Sequence, residues 1–211
     1  MIITIASTKG GPGKTTLAEV IVASLAAADI TVEAIDADPT DTLFRWLTNT
    51  YEGPPVPVQR ETDAKALVPL MTAAAARAKV VVVDTAGFGN QAALVALVAS
   101  DAVLIPLAPG EADVTQAIST AGQVRALAEA ARREIDFRLV FNRMKPTALA
   151  QHATAQVTTL PALKASLSDL VAFGEMGFSG RLPTRGKAAA EAAALVSELR
   201  AIGWLPAEVA A

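Results

Sequence analysis

The run Ser7-Thr8-Lys9-Gly10-Gly11-Pro12-Gly13-Lys14-Thr15-Thr16 holds, in a usable order, the residue types that phosphate chemistry needs. Gly10, Gly11 and Gly13 let the backbone curl so that successive N–H groups point inward at phosphate oxygens. Lys14 would reach β- and γ-phosphates, aided by the partial positive charge at the start of the helix that follows. Thr15 supplies a hydroxyl suited to Mg²⁺, an ion that takes a few oxygen ligands together with phosphates and water. The pattern G-x-x-x-x-G-K-[ST] is not met in full: its first glycine falls on Thr8, and a second lysine, Lys9, stands inside the loop. Stripped of chemistry, the run is a glycine-rich turn. The Gly-Lys-Thr triplet between a strand and a helix favours phosphate.

The elements that must position this loop are legible on both sides of it. Ile2 to Ala6 reads as a short buried strand and Thr15 to Ala28 as a helix. Thr31 to Ile35 is a second strand that ends at Asp36, followed by Asp38-Pro39 and a short helix over Asp41 to Leu47. Residues 51–57 carry three prolines, which forbid a central strand there. Ala64 to Ala76 is helical. Lys79 to Val83 contains four successive valines and ends at Asp84, as a parallel strand buried on both faces would. Helices over Gln91 to Ala99, Val114 to Arg133 and Ala188 to Ile202 alternate with strands over Ala102 to Leu107 and Phe137 to Phe141. Residues 145–187 show no clear period.

Alternating strands and helices imply an α/β fold of three layers, with a mostly parallel central sheet flanked by helices, and residues 1–211 as a single domain. In such sheets ligands sit beyond the carboxyl ends of the strands. The loop, Asp36, Asp38, Asp84, Asn142 and Arg143 all fall at such ends.

Composition narrows the chemistry. Of 211 residues 52% are apolar and 18% charged, enough for a packed core, and aromatics are only 4%, which suits an aliphatic sheet under helices. With no Cys, disulfides, iron–sulfur clusters and a Cys nucleophile are excluded, and His152 alone cannot build a His cage. The start MIITIAS has neither the basic region nor the cleavage site of a signal peptide, and no apolar run reaches the length of a membrane span, so a cytoplasmic protein is expected. The net charge of −3 is unevenly spread: residues 1–137 carry a balance of −6 and residues 138–187 one of +5. The basic stretch is either an anion-binding face or a solvated surface.

The loop K-G-G-x-G-K-T-T resembles the deviant Walker A box of the ParA/MinD superfamily of partition and positioning ATPases. Val32 to Pro39 resembles its D-x-D-P box, Val80 to Asp84 its Walker B strand, Leu104 to Pro109 its P-x-x-P strand end, and Val140 to Arg143 its adenine-side N-R. The resemblance covers residues 1 to about 145. It is nearest to a small ParA without an N-terminal helix-turn-helix domain, and it implies a P-loop NTPase fold, ATP and Mg²⁺ as cofactors, and an ATPase of weak intrinsic activity.

Residue by residue, the resemblance implies that Lys9 reaches across a nucleotide-sandwich dimer to the partner's ATP phosphates. Gly10, Gly11, Gly13, Lys14, Thr15 and Thr16 would cradle the nucleotide, and Thr15, Asp36 and Asp84 would organise Mg²⁺. Asp38 would position the attacking water, although D-x-D-P also caps turns without chemistry. Asn142 would meet the adenine edge and Arg143 pack on the ring, or Arg143 is simply a polar strand end. After Asp84 the chain departs from the family's D-x-P-P: Thr85-Ala-Gly-Phe-Gly-Asn carries Gly87 and Gly89, which suit a mobile switch.

The function implied is an ATP-dependent homodimeric switch that binds nucleoid DNA without sequence preference and is reset when a small ParB-like or cargo adaptor protein stimulates hydrolysis. Lys145, Arg181, Arg185 and Lys187, in the basic stretch, are the candidate DNA contacts. The cargo is plasmid or chromosomal DNA, or a protein assembly such as a chemoreceptor cluster or microcompartment. A small-molecule P-loop kinase or ligase is the remaining alternative. A membrane-surface ATPase like MinD would need a basic amphipathic C-terminal helix; the tail from Ala201 has no Lys or Arg and contains Pro206, so no stable membrane association is expected.

Overall fold

Val80, Val81, Val82 and Val83 have no exposed surface at all, as a strand covered on both faces requires. They form β4 (Val80–Thr85), which lies between β1 (Ile2–Ile5) and β2 (Val32–Ala37). The computed structural model describes residues 1–87 and 90–207. Phe88 and Gly89 of the expected switch, and the last four residues of the tail, lie outside the described residues.

With β3 (Val58–Arg60), β5 (Ala102–Leu107), β6 (Asp136–Met144) and β7 (Ala162–Ser168), the strands form one seven-stranded sheet in the order β3-β2-β4-β1-β5-β6-β7. Every described pairing in it is parallel. The three-layer α/β arrangement expected from the alternation is present. One face carries α1 (Lys14–Ala27), α2 (Thr42–Asn49), α7 (Val171–Ser179) and α8 (Gly186–Ala201), packed through Leu17, Ile21, Trp46, Phe173, Met176 and Leu195. The other carries α3 (Ala64–Arg77), α4 (Gln91–Ala99), α5 (Glu111–Ala131) and α6 (Ala148–Gln156) over two further apolar clusters. The period of two is visible in β4 itself: Val80 and Val82 join the first face, Val81 and Val83 the second.

Two strands exceed the five expected. β3 is three residues long, starts directly after Pro57 and occupies the sheet edge, where a preceding proline does no harm. β7 forms the opposite edge, and its outer amides are covered by side chains of α8. Glu198 accepts from Lys164 N at 2.8 Å and Ala165 N at 2.6 Å, and Glu191 accepts from Ser168 N at 2.8 Å. Two acids on successive stretches of an Ala-rich helix thereby protect an edge that would otherwise invite another strand. α5 also begins three residues before the expected start, which brings Glu111 and Asp113 into its first turn, a favourable place for negative charge.

Candidate functional site

Parallel register brings the sequence-predicted carboxylates together. Asp36 on β2 pairs with Asp84 on β4, and Asp84 stands beside Ile5 at the end of β1, where the glycine-rich loop leaves the sheet. The loop ends at Gly13, whose φ of 90° lies in the left-handed region. The backbone angle there favours glycine, and a Cβ would also run into the side-chain amide of Asn142.

Lys14 is the first residue of α1 and is buried; its Nζ donates to the Lys9 carbonyl at 3.3 Å. One residue on, Thr15 Oγ1 donates to Asp84 Oδ2 at 2.6 Å. Asp84 Oδ1 is buried and has no hydrogen-bond partner. A buried carboxylate oxygen left over beside a threonine hydroxyl suits a hard, oxygen-seeking dication, so the residues present fit Mg²⁺. Burial pushes the Asp84 carboxyl up to about 7, the Thr15 hydrogen bond opposing the rise and Asp36 adding to it.

Asp36 is also fully buried, and burial raises it against two backbone hydrogen bonds that hold it down. Those bonds come from Asp38 N to Oδ1 at 3.0 Å and from Phe44 N to Oδ2 at 2.9 Å. Asp38 Oδ1 in turn accepts from Thr40 N at 2.9 Å and Thr40 Oγ1 at 2.8 Å. The turn-capping role left open by the sequence is thus what both carboxylates perform here. Both Thr40 contacts fall on the same Asp38 oxygen.

On the other side of the loop Asn142 Nδ2 donates to Pro12 O at 2.8 Å, and Asn142 Oδ1 accepts from Arg143 N at 2.9 Å. Asn142 therefore braces the loop from within β6. Arg143, with φ 55°, falls where the register of β6 against β7 shifts, before Met144 resumes the pairing with Ser168. A cleft of about 530 Å³ opens beside it, lined by Thr16, Asn142, Arg143, Lys145, Asp169 and Phe173. Thr16 and Arg143 are thereby brought together.

Lys9 lies apart from Lys14's buried position, half-exposed on the outer side of the loop and 3.5 Å from Asp113 Oδ1 on α5. Two groups near the site were not singled out in the sequence. Glu19, one turn beyond Thr15 on α1, is buried, and burial followed by the charge of Asp84 pushes it up to about 8. Its one signal is being a lone acid in the apolar run Leu17 to Leu25. Asp113, with Gln116 and Thr120, could have been found only from helical spacing.

Three of the four candidate DNA contacts are paired with carboxylates. Lys145 lines the cleft and pairs with Asp169 at 2.7 Å, Arg181 pairs with Glu52 at 2.5 Å, and Lys187 pairs with Glu191 at 3.5 Å. Arg185 stands at the start of α8, with no ion pair among the described residues. Among the described residues no helix is long and apolar enough to cross a membrane.

A family model described as VirC1 protein matches residues 1–204. Maintenance of carboxysome distribution protein A from Gloeobacter kilaueensis is 30% identical over 200 residues, covering 92% of this chain and 89% of that protein. A ParA from Rhizobium radiobacter is 30% identical over 146 residues, 69% of this chain; the match spans 65% of that relative's length, just under two thirds. Among solved structures, an ATP complex of a Cyanothece McdA variant superposes with a TM-score of 0.79 at 17% identity, covering 99% of this chain and 98% of that one. MinD with Mg-ADP from Pyrococcus horikoshii gives 0.77 at 17% identity, covering 96% and 97%. At such identities the two structures show a shared fold.

Proposed function

The chain belongs to the VirC1 protein family, within the ParA/MinD superfamily, and on that premise we propose that it is an ATP-driven dimerising switch. Residues 1–211 act in this reading as one P-loop ATPase domain that converts ATP and water to ADP and phosphate, slowly on its own. The observation that carries it is the Thr15–Asp84 pair with its orphaned buried oxygen, directly beside a buried loop lysine.

The loop amides over Gly10 to Thr16 and the Lys14 ammonium would hold the phosphates. Thr15 and Asp84, with Asp36 behind them, would hold Mg²⁺, which when bound offsets negative charge on the phosphate oxygens. Asp38 would orient the attacking water through the carboxylate oxygen that Thr40 does not engage, since phosphoryl transfer relies mainly on positioning and charge. Lys9, exposed on the loop, would supply a cation to the nucleotide of a second copy, which makes dimerisation depend on ATP. Arg143 would pack against the base in the cleft that Thr16 also lines, and Asn142 would fix the loop and face the adenine edge.

The dimer would bind DNA through phosphates, without sequence preference, and a small partner protein would trigger hydrolysis and release. The relatives named ParA and carboxysome distribution protein support two cargo classes, a replicon and a protein assembly. Calorimetry tests the core of the reading: Lys14→Ala should abolish ATP binding, and unchanged affinity would refute the phosphate-loop assignment. ATPase stimulation by random duplex separates the switch from a small-molecule kinase or ligase, which would ignore DNA.

A further inference from the structure

Asp41 stands in the left-handed region, with φ 53°, although it is not a glycine. It precedes α2 as the cap residue, yet its side chain caps no amide of that helix. Asp41 Oδ1 is buried without a hydrogen-bond partner, and among the described residues its one ion pair is with Arg60, whose Nε lies against it. Arg60 ends β3, opposite Asp36 in the register, and Glu61 N just beyond donates to Asp36 O at 3.0 Å. β3, one of the two strands beyond the five expected, therefore ends beside the turn that carries Asp38.

The backbone of the same turn is tied from α2. Asp41 N donates to Asp38 O at 3.0 Å, Arg45 Nη2 to Thr40 O at 2.9 Å and Arg45 Nε to Asp41 O at 3.3 Å. Arg45 belongs to α2 itself, so these bonds would travel with the helix. Arg60 is what ties the turn to the sheet.

We propose that Arg60 is a positioning residue for hydrolysis: through Asp41 it fixes the turn between β2 and α2, and so fixes where the free oxygen of Asp38 meets water. The inference rests on the reading of Asp38 given above. Arg60 itself touches no reacting atom.

Left-handed backbone is unfavourable for a residue that carries a Cβ, even for aspartate, which tolerates it better than most. The ion pair offsets that preference. Without it Asp41 relaxes toward an ordinary angle, and Asp38, joined to it by a backbone hydrogen bond, moves as well. The two side chains are 52% and 19% exposed, so the pair alone is worth a factor of about 5 at most. A displacement of about 1 Å in a group that positions a reactant can cost on the order of a hundredfold. The loss in rate should fall between these figures. The nucleotide's phosphates would be held by the loop over Gly10 to Thr16, so affinity should not follow the rate.

The test is single-turnover hydrolysis by the full chain with Mg-ATP, read as a maximal rate and a half-saturating ATP concentration. Arg60→Ala should lower the maximal rate by about tenfold and leave half-saturation within about twofold. Arg60→Met, which keeps the apolar stem, should do the same and serves if the Ala variant melts early. In an Asp41→Gly background the left-handed angle no longer needs the pair, so Arg60→Ala should have no further effect. A rate unchanged in Arg60→Ala and Arg60→Met, a loss confined to half-saturation, or an equal loss in the Asp41→Gly background would each overturn the inference while the role of Asp38 stands. If Asp38→Ala hydrolyses ATP like the parent, that role falls and the inference with it.

Discussion

Thr15 Oγ1 lies 2.6 Å from Asp84 Oδ2, while the second oxygen of that carboxylate is buried with no hydrogen-bond partner. A pair arranged in this way would need no rearrangement to receive a cation, because β4 fixes Asp84 and the first turn of α1 fixes Thr15. The first prediction follows from it. Asp84→Asn should leave ATP affinity in the presence of a chelator nearly unchanged, remove the gain from Mg²⁺, and slow hydrolysis by about a hundredfold. Thr15→Ala should act similarly, and the double variant should lose little more than either, since both serve one ion. Calorimetric ATP titrations across a Mg²⁺ series check this; a Mg²⁺ response retained in Asp84→Asn would remove Asp84 from the site.

Glu19 makes stability depend on pH in a definite direction. Its carboxyl rises from 4.5 to about 8 on folding, chiefly through burial. Between those values the native state keeps a proton that the unfolded chain has released, so stability is fullest below 4.5 and falls as pH climbs toward 8. Glu19→Gln stays neutral and loses this dependence. At pH 8.5 the variant should be more stable than the parent by on the order of 1–3 kcal/mol, with the difference shrinking toward pH 5. Asp36 and Asp84 are raised as well, so the quantity to follow is the difference between the two proteins in melting temperature without nucleotide. A gap that stays constant from pH 5 to 8.5 would mean that Glu19 does not titrate there.

The edge strand β7 depends on α8 in a way that urea unfolding can measure. Glu198→Ala leaves Lys164 N and Ala165 N without their acceptor and should cost about 1–2 kcal/mol. Glu198→Gln keeps one acceptor oxygen and should cost roughly half as much. If both variants match the parent, water serves these amides as well as the carboxylate does.

What the sequence disclosed and what it withheld divide along physical lines. The loop was legible because phosphate binding demands glycines and a lysine in fixed order, and β4 because a strand buried on both faces leaves an uninterrupted valine run. β7 was not, although Leu163 and Leu167 are buried and Lys164 is exposed. Its period of two is broken by register shifts against β6, and the Glu191 and Glu198 side chains that complete it come from a helix later in the chain. α7 contains Gly174 and Gly177, poor helix formers that hide a helix docked through Phe173 and Met176. The D-x-D-P box could be seen but not resolved, since turn capping and water positioning ask for the same residues. The surplus charge of residues 138–187 could be counted but not placed, for a related reason. A one-dimensional sum does not see Glu52 or Asp136, which lie outside the segment and pair with Arg181 and Arg138.

That pairing sharpens the DNA prediction. Arg181 is bound to Glu52 and Lys187 to Glu191, so each meets a phosphate only by giving up a carboxylate. Arg185 has no such competitor among the described residues, and it precedes α8 at an exposed corner of the chain. Arg185→Glu should therefore weaken binding to random duplex more than Arg181→Glu or Lys187→Glu, for all sequences alike, with ATP affinity unchanged. Glu52→Gln should strengthen binding slightly by freeing Arg181. Binding should require ATP, because three of the four candidate contacts in each protomer are already paired with carboxylates, leaving only Arg185 without an ion pair among the described residues, and a dimer doubles what remains. If the dimer neutralises about six phosphates, affinity should drop by about a thousandfold between 50 and 200 mM salt. A filter-binding salt titration decides the matter. A shallow slope, or equal losses from the three charge reversals, would place the DNA face elsewhere on the dimer; absence of ATP-dependent binding would move weight to the small-molecule kinase or ligase.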